Sequence, residues 1–340
     1  VVENATAVGV GALAGGTGAA ALGSNAQALG ENSSAVGSNA LASDIGATAN
    51  GAGAQAISTY TTALGSEAVA SDNQAIAAGF RSTASNVGSA AFGGYSESTG
   101  RLSSALGYGA VASSDYSTAV GAVALASGAS AVAVGNASAL GQSAAALADN
   151  TLALGGGSRA DAVGASAVGV DASATGINST GVGRQVNAIG ENAVSVGYNS
   201  FVRQSAVNGV ALGANAGATG ADSVALGSGS RTYEADTVSI GSGNGRGGPA
   251  TRRIVNVSAG QAATDAVNKG QLDALAADVQ TTSGMLKTTG DGVASATGDR
   301  ATAAGAGATA SGARSVAVAS GSRASATGAS AMGVDSSASG

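Results

Sequence analysis

"TALGSEAVASDNQAIAAGF", residues 62–80, holds one small phrase twice, Ala63-Leu64-Gly65 and Ala77-Ala78-Gly79, fourteen residues apart. The phrase returns at Ala91-Phe92-Gly93, Ala105-Leu106-Gly107, Ala119-Val120-Gly121 and Ala133-Val134-Gly135 with the same spacing. Its central residue falls at Val8, Leu22, Leu29, Val36, Ile57 and Leu64, then every fourteen residues to Val134, all in one register of seven. The register then slips by one residue, so that Leu140, Leu147, Leu154, Val168, Val182, Ile189 and Val196 share a new phase. A second slip adds two residues before Leu212, Leu226 and Ile240, and a further register holds Ala304, Val318 and Met332. A disordered chain has no reason to keep phase over such a distance, whereas a stacked solenoid does.

Seven residues accommodate a short strand and a tight turn, so fourteen make one two-stranded coil. Within "DSVALGSGS" (222–230), Val224 and Leu226 share one face of the strand and Ala225 and Gly227 the other. Small residues follow the phrase at fixed offsets, as at Ala68 and Ala70, Ala110 and Ala112, Ala124 and Ala126. The pattern predicts an all-β fold, a parallel β-roll with a thin Ala/Gly interior where two backbones approach closely. Ser, Asn, Asp and Gly fill the turns, where local hydrogen bonds and access to positive φ are useful. The larger residues then form an outward stripe: Leu64, Phe92, Leu106, Val120, Val134, Leu154, Val168, Val196, Leu212, Leu226 and Ile240. The opposite facing, with these residues inside a wider roll, is the alternative. Coils about 4.8 Å apart make residues 5–245 a rod roughly 80 Å long. An apolar stripe along its length calls for self-association, and closure about a threefold axis buries it without an open filament.

Composition narrows the function. The 340 residues include 57 Gly and a single Pro, with no His, Cys or Trp, 3% aromatic and 10% charged residues. Without His or Cys the usual general bases, nucleophiles and metal ligands are mostly missing, and the carboxylates are scattered through turns, so no enzyme, cofactor or metal is expected. A net charge of −6 argues against nucleic acid. No apolar run approaches the roughly 18 residues needed to span a bilayer, and "VVENATAVG" has no signal-peptide character. The opening is expected to be the inside of a longer chain. "GNGRGG" (243–248) formally matches G-x-G-x-x-G, yet Pro249 follows it where a dinucleotide site needs a helix. It is expected to be a flexible exit from the roll.

From residue 246 the pattern changes. "RRIVNVSAGQAATDAVNKGQL" (252–272) is similar to the neck of YadA-like trimeric autotransporter adhesins, whose hallmark is D-A-V-N-x-x-Q-L. Asp265, Ala266, Val267, Asn268, Gln271 and Leu272 carry the match, and the fourteen-residue phrase resembles the head repeat of the same family. The resemblance implies a left-handed parallel β-roll head over 1–245, an obligate homotrimer, a neck over 246–271 and a short trimeric coiled coil over 272–289. Leu272, Leu275, Val279, Thr282 and Leu286 have the alternating three-and-four spacing of such a coil. Residues 290–340 resume a weaker phrase as the start of a second head. The resemblance further implies display on the outside of a Gram-negative cell, by a membrane anchor not found in this sequence. The partners it implies are a second and third copy of the chain, and a host cell surface or a matrix protein such as collagen, fibronectin or laminin.

Two stretches are candidate binding surfaces. In some family members repeats of the form N-S-V-A-I-G-x-x-S are implicated in collagen binding. "NAVSVGYNS" keeps Asn192, Val194, Val196, Gly197 and Ser200, and "DSVALGSGS" keeps Ser223, Val224, Ala225, Gly227 and Ser230. The same residues also suit the needs of the fold. The second slip, "GYNSFVRQSAVNGV" (197–210), should bulge from the coil with Tyr198, Phe201 and Arg203, residue types favoured at binding hot spots. Gly93-Gly94-Tyr95 and Tyr108 are further decorations of the roll. A spacer that only projects another binding domain is the alternative function.

Overall fold

The computed structural model describes residues 2–138, 141–285 and 292–340. Leu140, Leu286 and the side chain of Thr282 therefore lie outside what is described. The chain forms two compact units, Val1–Arg252 and Arg253–Gly340.

The first unit is a parallel β-solenoid with a 17-stranded sheet and a 16-stranded sheet. Thr62–Leu64 in the first sheet is followed by Val69–Ala70 in the second, then by Ile76–Ala78 back in the first. Pairing is in register with the next coil: Ala63 faces Ala77, and Ala70 faces Ala84. Each half-coil ends at a corner residue in the left-handed region, as at Asn25, Asn32 and Asn39 with φ of 56°, 53° and 58°. Asn tolerates this region because its short side chain bonds locally. One such corner per half-coil is the physical origin of the seven-residue register.

The interior is made of alanine. Ala63, Ala77, Ala91, Ala119 and Ala133 from the first sheet, and Ala56, Ala70, Ala84, Ala112 and Ala126 from the second, are wholly buried. The flanking larger residues point out, so the wider-roll alternative does not hold. With side chains this small, the sheets approach until any larger residue needs a vacancy opposite it. Val186 is wholly buried where most coils have Ala, and a Cβ on Gly181 would lie 3.2 Å from its Cγ1. Most buried hydroxyls bond each other or a turn carbonyl, as Ser98 to Ser103 at 2.7 Å and Ser195 to Ser200 at 2.9 Å, while those of Ser179 and Ser315 have no protein partner among the described residues. Gly181→Ala is expected to cost about 1–2 kcal/mol by overpacking. Adding Val186→Ala should restore most of it, and urea denaturation of both single variants and the double variant measures the coupling.

Three expectations need correction. The first slip is not a one-residue shift. Val134 pairs with Leu154, twenty residues on, so six residues are inserted between the strands Val132–Val134 and Ala145–Ala146. Six and minus one are the same shift in a register of seven. Second, Leu29, Ile57, Leu147 and Ile189 follow strands of the second sheet, so the shared register splits onto two faces. Third, the exit at 243–248 is no loose linker. Ser242 and Gly243 donate to Pro249 and Ala250, Arg231 N bonds Gly241 O at 2.9 Å, and Arg252 donates to Ser228, Ser230 and Ile240. A solenoid's last coil exposes an unpaired edge, and this fold-back covers it.

The second unit contains the helix Lys269–Met285 and a shorter roll with sheets of four and three strands. Ala308, Ala310, Ala317 and Ala324 form its interior.

Candidate ligand-binding and assembly surfaces

Register pairing places Val8, Leu22, Val36, Asn50, Leu64, Ala78, Phe92 and Leu106 in one outer column of the first sheet. Val120, Val134, Leu154, Val168, Val182, Val196, Leu212 and Leu226 continue it. Ile240 directly follows the last strand, Val238–Ser239. Asn50 and Ala78 are the interruptions in an otherwise apolar column. Leu64, Phe92, Leu106, Leu154 and Leu226 are exposed, and Val120, Val134, Val168, Val196 and Leu212 are half-buried. An apolar column of this length, broken by one polar residue at Asn50 and exposed among the described residues, is a surface suited to being covered.

The candidate binding stretch divides into inside and outside. Ser200, Ser223 and Ser230 are buried. Ser200 bonds Ser195 and the Gly197 carbonyl, Ser223 bonds the Gly220 carbonyl at 2.6 Å, and Ser230 bonds the Leu226 carbonyl at 2.7 Å. As surface residues these three are corrected: their hydroxyls close turns and face away from solvent. Val194, Val196, Gly197, Val224 and Gly227 are half-buried or, at Gly227, packed under Arg252. Asn192 and Tyr198 are exposed. Asn192 is one rung of a corner ladder, accepting from Asn178 at 3.3 Å and donating to Asn208 at 3.0 Å.

The two extra residues of the second slip lie in 204–209, after the strand Phe201–Val202. Tyr198, Phe201 and Arg203 therefore all occupy ordinary coil positions, since Arg203 N bonds Ala218 O at 3.0 Å just as Ile189 N bonds Val202 O, and the extra residues follow Arg203. Phe201 pairs with Gly217, where a Cβ would stand 2.4 Å from the ring, so glycine lets the ring lie on the next rung. Arg231 and Arg203 lie 4.9 and 5.7 Å from the centre of that ring. A shallow recess of about 320 Å³ beside it is lined by Gln185, Asn187, Ile189, Asn199 and Arg203 among others. Such a surface can hold a flat or extended ligand by stacking and amide contacts. Among the described residues no cluster of His, Cys, Asp or Glu is arranged to hold a metal ion.

The neck match has a physical meaning that spacing alone did not reveal. Asn268 precedes the helix Lys269–Met285, and its side chain accepts from Gln271 N at 3.1 Å while Gln271 Oε1 accepts from Asn268 N at 3.3 Å. This reciprocal pair is a capping box. The same two side chains bond Val257 O and both backbone groups of Gly260, tying the helix start to the preceding segment. N-x-x-Q at 268–271 was the available signal. Val267, Leu272, Leu275 and Val279 are exposed. Asp265 accepts from Gln261 N at 2.9 Å and Ala262 N at 3.0 Å, and these bonds, that from Ala262 first, hold its carboxyl below the ordinary value of 3.8. Its stabilising contribution is therefore full above the ordinary value and lost as pH falls through the lowered folded value. Protection of the Gln261 and Ala262 amides relative to intrinsic exchange at each pH should persist at neutral pH and be lost only below the ordinary carboxylate value, whereas Asp265→Ala should lack it throughout.

Comparison with known families matches "YadA head domain repeat (2 copies)" to residues 3–26, 28–54, 56–82, 98–124, 115–138, 136–158, 160–185, 205–230 and 296–318. "Coiled stalk of trimeric autotransporter adhesin" matches residues 253–295. No curated protein matches the chain. Among solved structures, the collagen-binding domain of the Yersinia adhesin YadA aligns at 24% identity over 64% of this chain and 84% of that chain, with a TM-score of 0.24. Head repeats cover more than half the sequence, and the stalk match takes in the capping box and the helix with its exposed apolar residues. The chain belongs to the YadA-like trimeric autotransporter adhesins.

Proposed function

We propose that this chain is the head, neck and first stalk segment of a homotrimeric adhesin displayed outside a Gram-negative outer membrane. It attaches the cell to host surfaces or extracellular matrix. The observation that carries the reading is the uncovered apolar column along the first sheet, in a chain whose family is trimeric. Three copies placed with these columns facing one axis bury them together and leave the corners outward. Every coil then appears three times, so weak contacts add through avidity.

The ligand class is a matrix protein of the collagen, fibronectin or laminin kind, taken up by the stretch from Asn192 to Arg203. Collagen leads because this stretch keeps most of an N-S-V-A-I-G-like phrase. The test is saturable binding of the folded trimer to immobilised triple-helical collagen, with fibronectin and laminin alongside. Binding to one of them that weakens in a Tyr198→Ser/Arg203→Ser variant supports the reading. A second reading, a spacer that projects another binding domain, is favoured by the burial of Ser200, Ser223 and Ser230. Binding to none of the three proteins decides for it.

A further inference from the structure

We infer that the segment from Tyr60 to Ser130 carries a second binding surface, an aromatic ridge that takes neutral oligosaccharide chains. The first observation concerns the corners. Outside this segment the left-handed corner residues of the first unit are Asn, Asp or Gly, with Gln185 the exception. Inside it, Tyr60, Arg81, Tyr95, Leu102, Tyr116 and Val123 take that conformation, with φ between 52° and 60°. Large side chains are disfavoured there, and a β-branched one such as Val123 most of all. Repeats on either side show that Asn would fold as well, so the fold does not require these residues. In the second unit Arg300 and Arg314 also take left-handed corners, but in the first unit such bulk is gathered in this segment, and strain kept where Asn would serve points to function.

The second observation concerns exposed rings beside these corners: Tyr95 is itself a corner residue, and Phe80 and Tyr108 each precede one, Arg81 and Gly109. Phe80, Tyr95 and Tyr108 stand on one edge of successive coils, 43%, 41% and 62% exposed. Their rings meet edge to face, with centroids 5.3 Å apart for Phe80–Tyr95 and 5.6 Å for Tyr95–Tyr108. Gly94 leaves room for the Tyr108 ring, 3.5 Å from where its Cβ would be. Arg81 lies 5.1 Å from the Phe80 ring centre and bonds Glu67 at 2.6 Å. Glu67, and secondarily Tyr95, raise the Arg81 pKa above its ordinary value. A chain with so few aromatics has gathered three of its nine into one ridge.

The chemistry narrows the ligand. Backbone groups along this edge are already paired coil to coil, as in Tyr95 N to Phe80 O at 2.8 Å and Gly109 N to Gly94 O at 2.9 Å. An added peptide strand therefore finds no free ladder. Arg81 is neutralised by Glu67, and the chain is acidic overall, which disfavours a polyanion. What remains is three exposed aromatic rings on successive coils, set edge to face so that their faces alternate in direction, flanked by a paired guanidinium and carboxylate and two phenol hydroxyls. Sugar rings present apolar C–H faces to such rings and hydroxyls to such polar groups, and successive sugars of an extended chain are spaced close to one coil.

The test uses the full chain as a folded trimer on an array of neutral hexose and N-acetylhexosamine oligosaccharides, with a sulfated glycosaminoglycan and a triple-helical collagen peptide as further probes. Saturable binding to a neutral oligosaccharide is expected. Tyr95→Asn and Tyr108→Ser should each weaken it about tenfold, while Tyr198→Ser leaves it unchanged. Tyr95→Asn should also unfold at the same or a higher temperature, since Asn is the residue other corners use. No neutral saccharide bound, binding indifferent to Tyr95 and Tyr108, or capture of only the sulfated chain or the collagen peptide would each overturn the inference. The collagen reading rests on Tyr198 and Arg203, so the two surfaces fail independently.

Discussion

Gly93→Ala should break the solenoid at its middle. Gly93 has φ +128°, a conformation that side chains rarely adopt, and a Cβ added there would lie 2.5 Å from Gly107 O. Gly107 cannot easily give way, because its N bonds Phe92 O at 2.8 Å and the next coil is held the same way by Gly121 N to Leu106 O at 2.8 Å. Backbone strain and the clash together should cost about 3 kcal/mol or more. Nearest-neighbour coupling in a repeat array means that the damage shows as a loss of cooperativity as well as of stability. Urea unfolding followed by circular dichroism should therefore show one transition in the parent and an early, separate phase in the variant. Gly53→Asn is the control: φ is +68°, the nearest atom to an added Cβ is Glu67 Cγ at 3.6 Å, and neighbouring corners already hold Asn. It should stay within about 0.5 kcal/mol of the parent. Equal effects of the two substitutions would mean that stacked backbones do not limit this column.

Leu106→Asp combined with Val120→Asp should turn the trimer into a folded monomer. The two residues are neighbours in the outer column, Leu106 51% exposed and Val120 half-buried, so in a single chain the carboxylates remain in water and the coil keeps its alanine interior. In the trimer six carboxylates would meet at the axis in two adjacent layers. Charge buried without a partner costs several kcal/mol per group after relaxation, so the trimer should dissociate at least about a thousandfold more readily. Sedimentation equilibrium should give one chain of 31.1 kDa in place of three. Leu29→Asp, on the flank of the second sheet, is exposed as well and should leave the mass unchanged. A variant still trimeric, or a control that dissociates, would assign the contact to another face.

Glycine stacking and the outer column differ in how far the sequence announces them. The seven-residue register was legible because each half-coil needs one left-handed corner and one inward Ala, and both leave compositional marks. The segment 265–272 was legible only as a match to the D-A-V-N-x-x-Q-L hallmark; that it joins a turn carboxylate, a helix cap and the cap's partner emerged from the hydrogen bonds. Period alone could not separate six inserted residues from one deleted residue. Nor could it separate Leu29 and Ile57 from the first-sheet column, because both faces share the register and only strand pairing divides them.

The binding residues were the least legible. Ser200, Ser223 and Ser230 match a motif as letters, and whether each points in or out depends on where its coil turns. The bulky corners at Tyr60, Tyr95, Tyr116 and Val123 were invisible for a related reason: a side chain type does not announce a positive φ. The sequence by itself determined that the chain coils, how many residues a coil takes, and that its interior is made of small residues. Those are periodic properties, set by local backbone preference and side-chain size. Tertiary structure alone decided which residues each coil stacks on its neighbours, because register, burial and strain arise only when one coil meets the next.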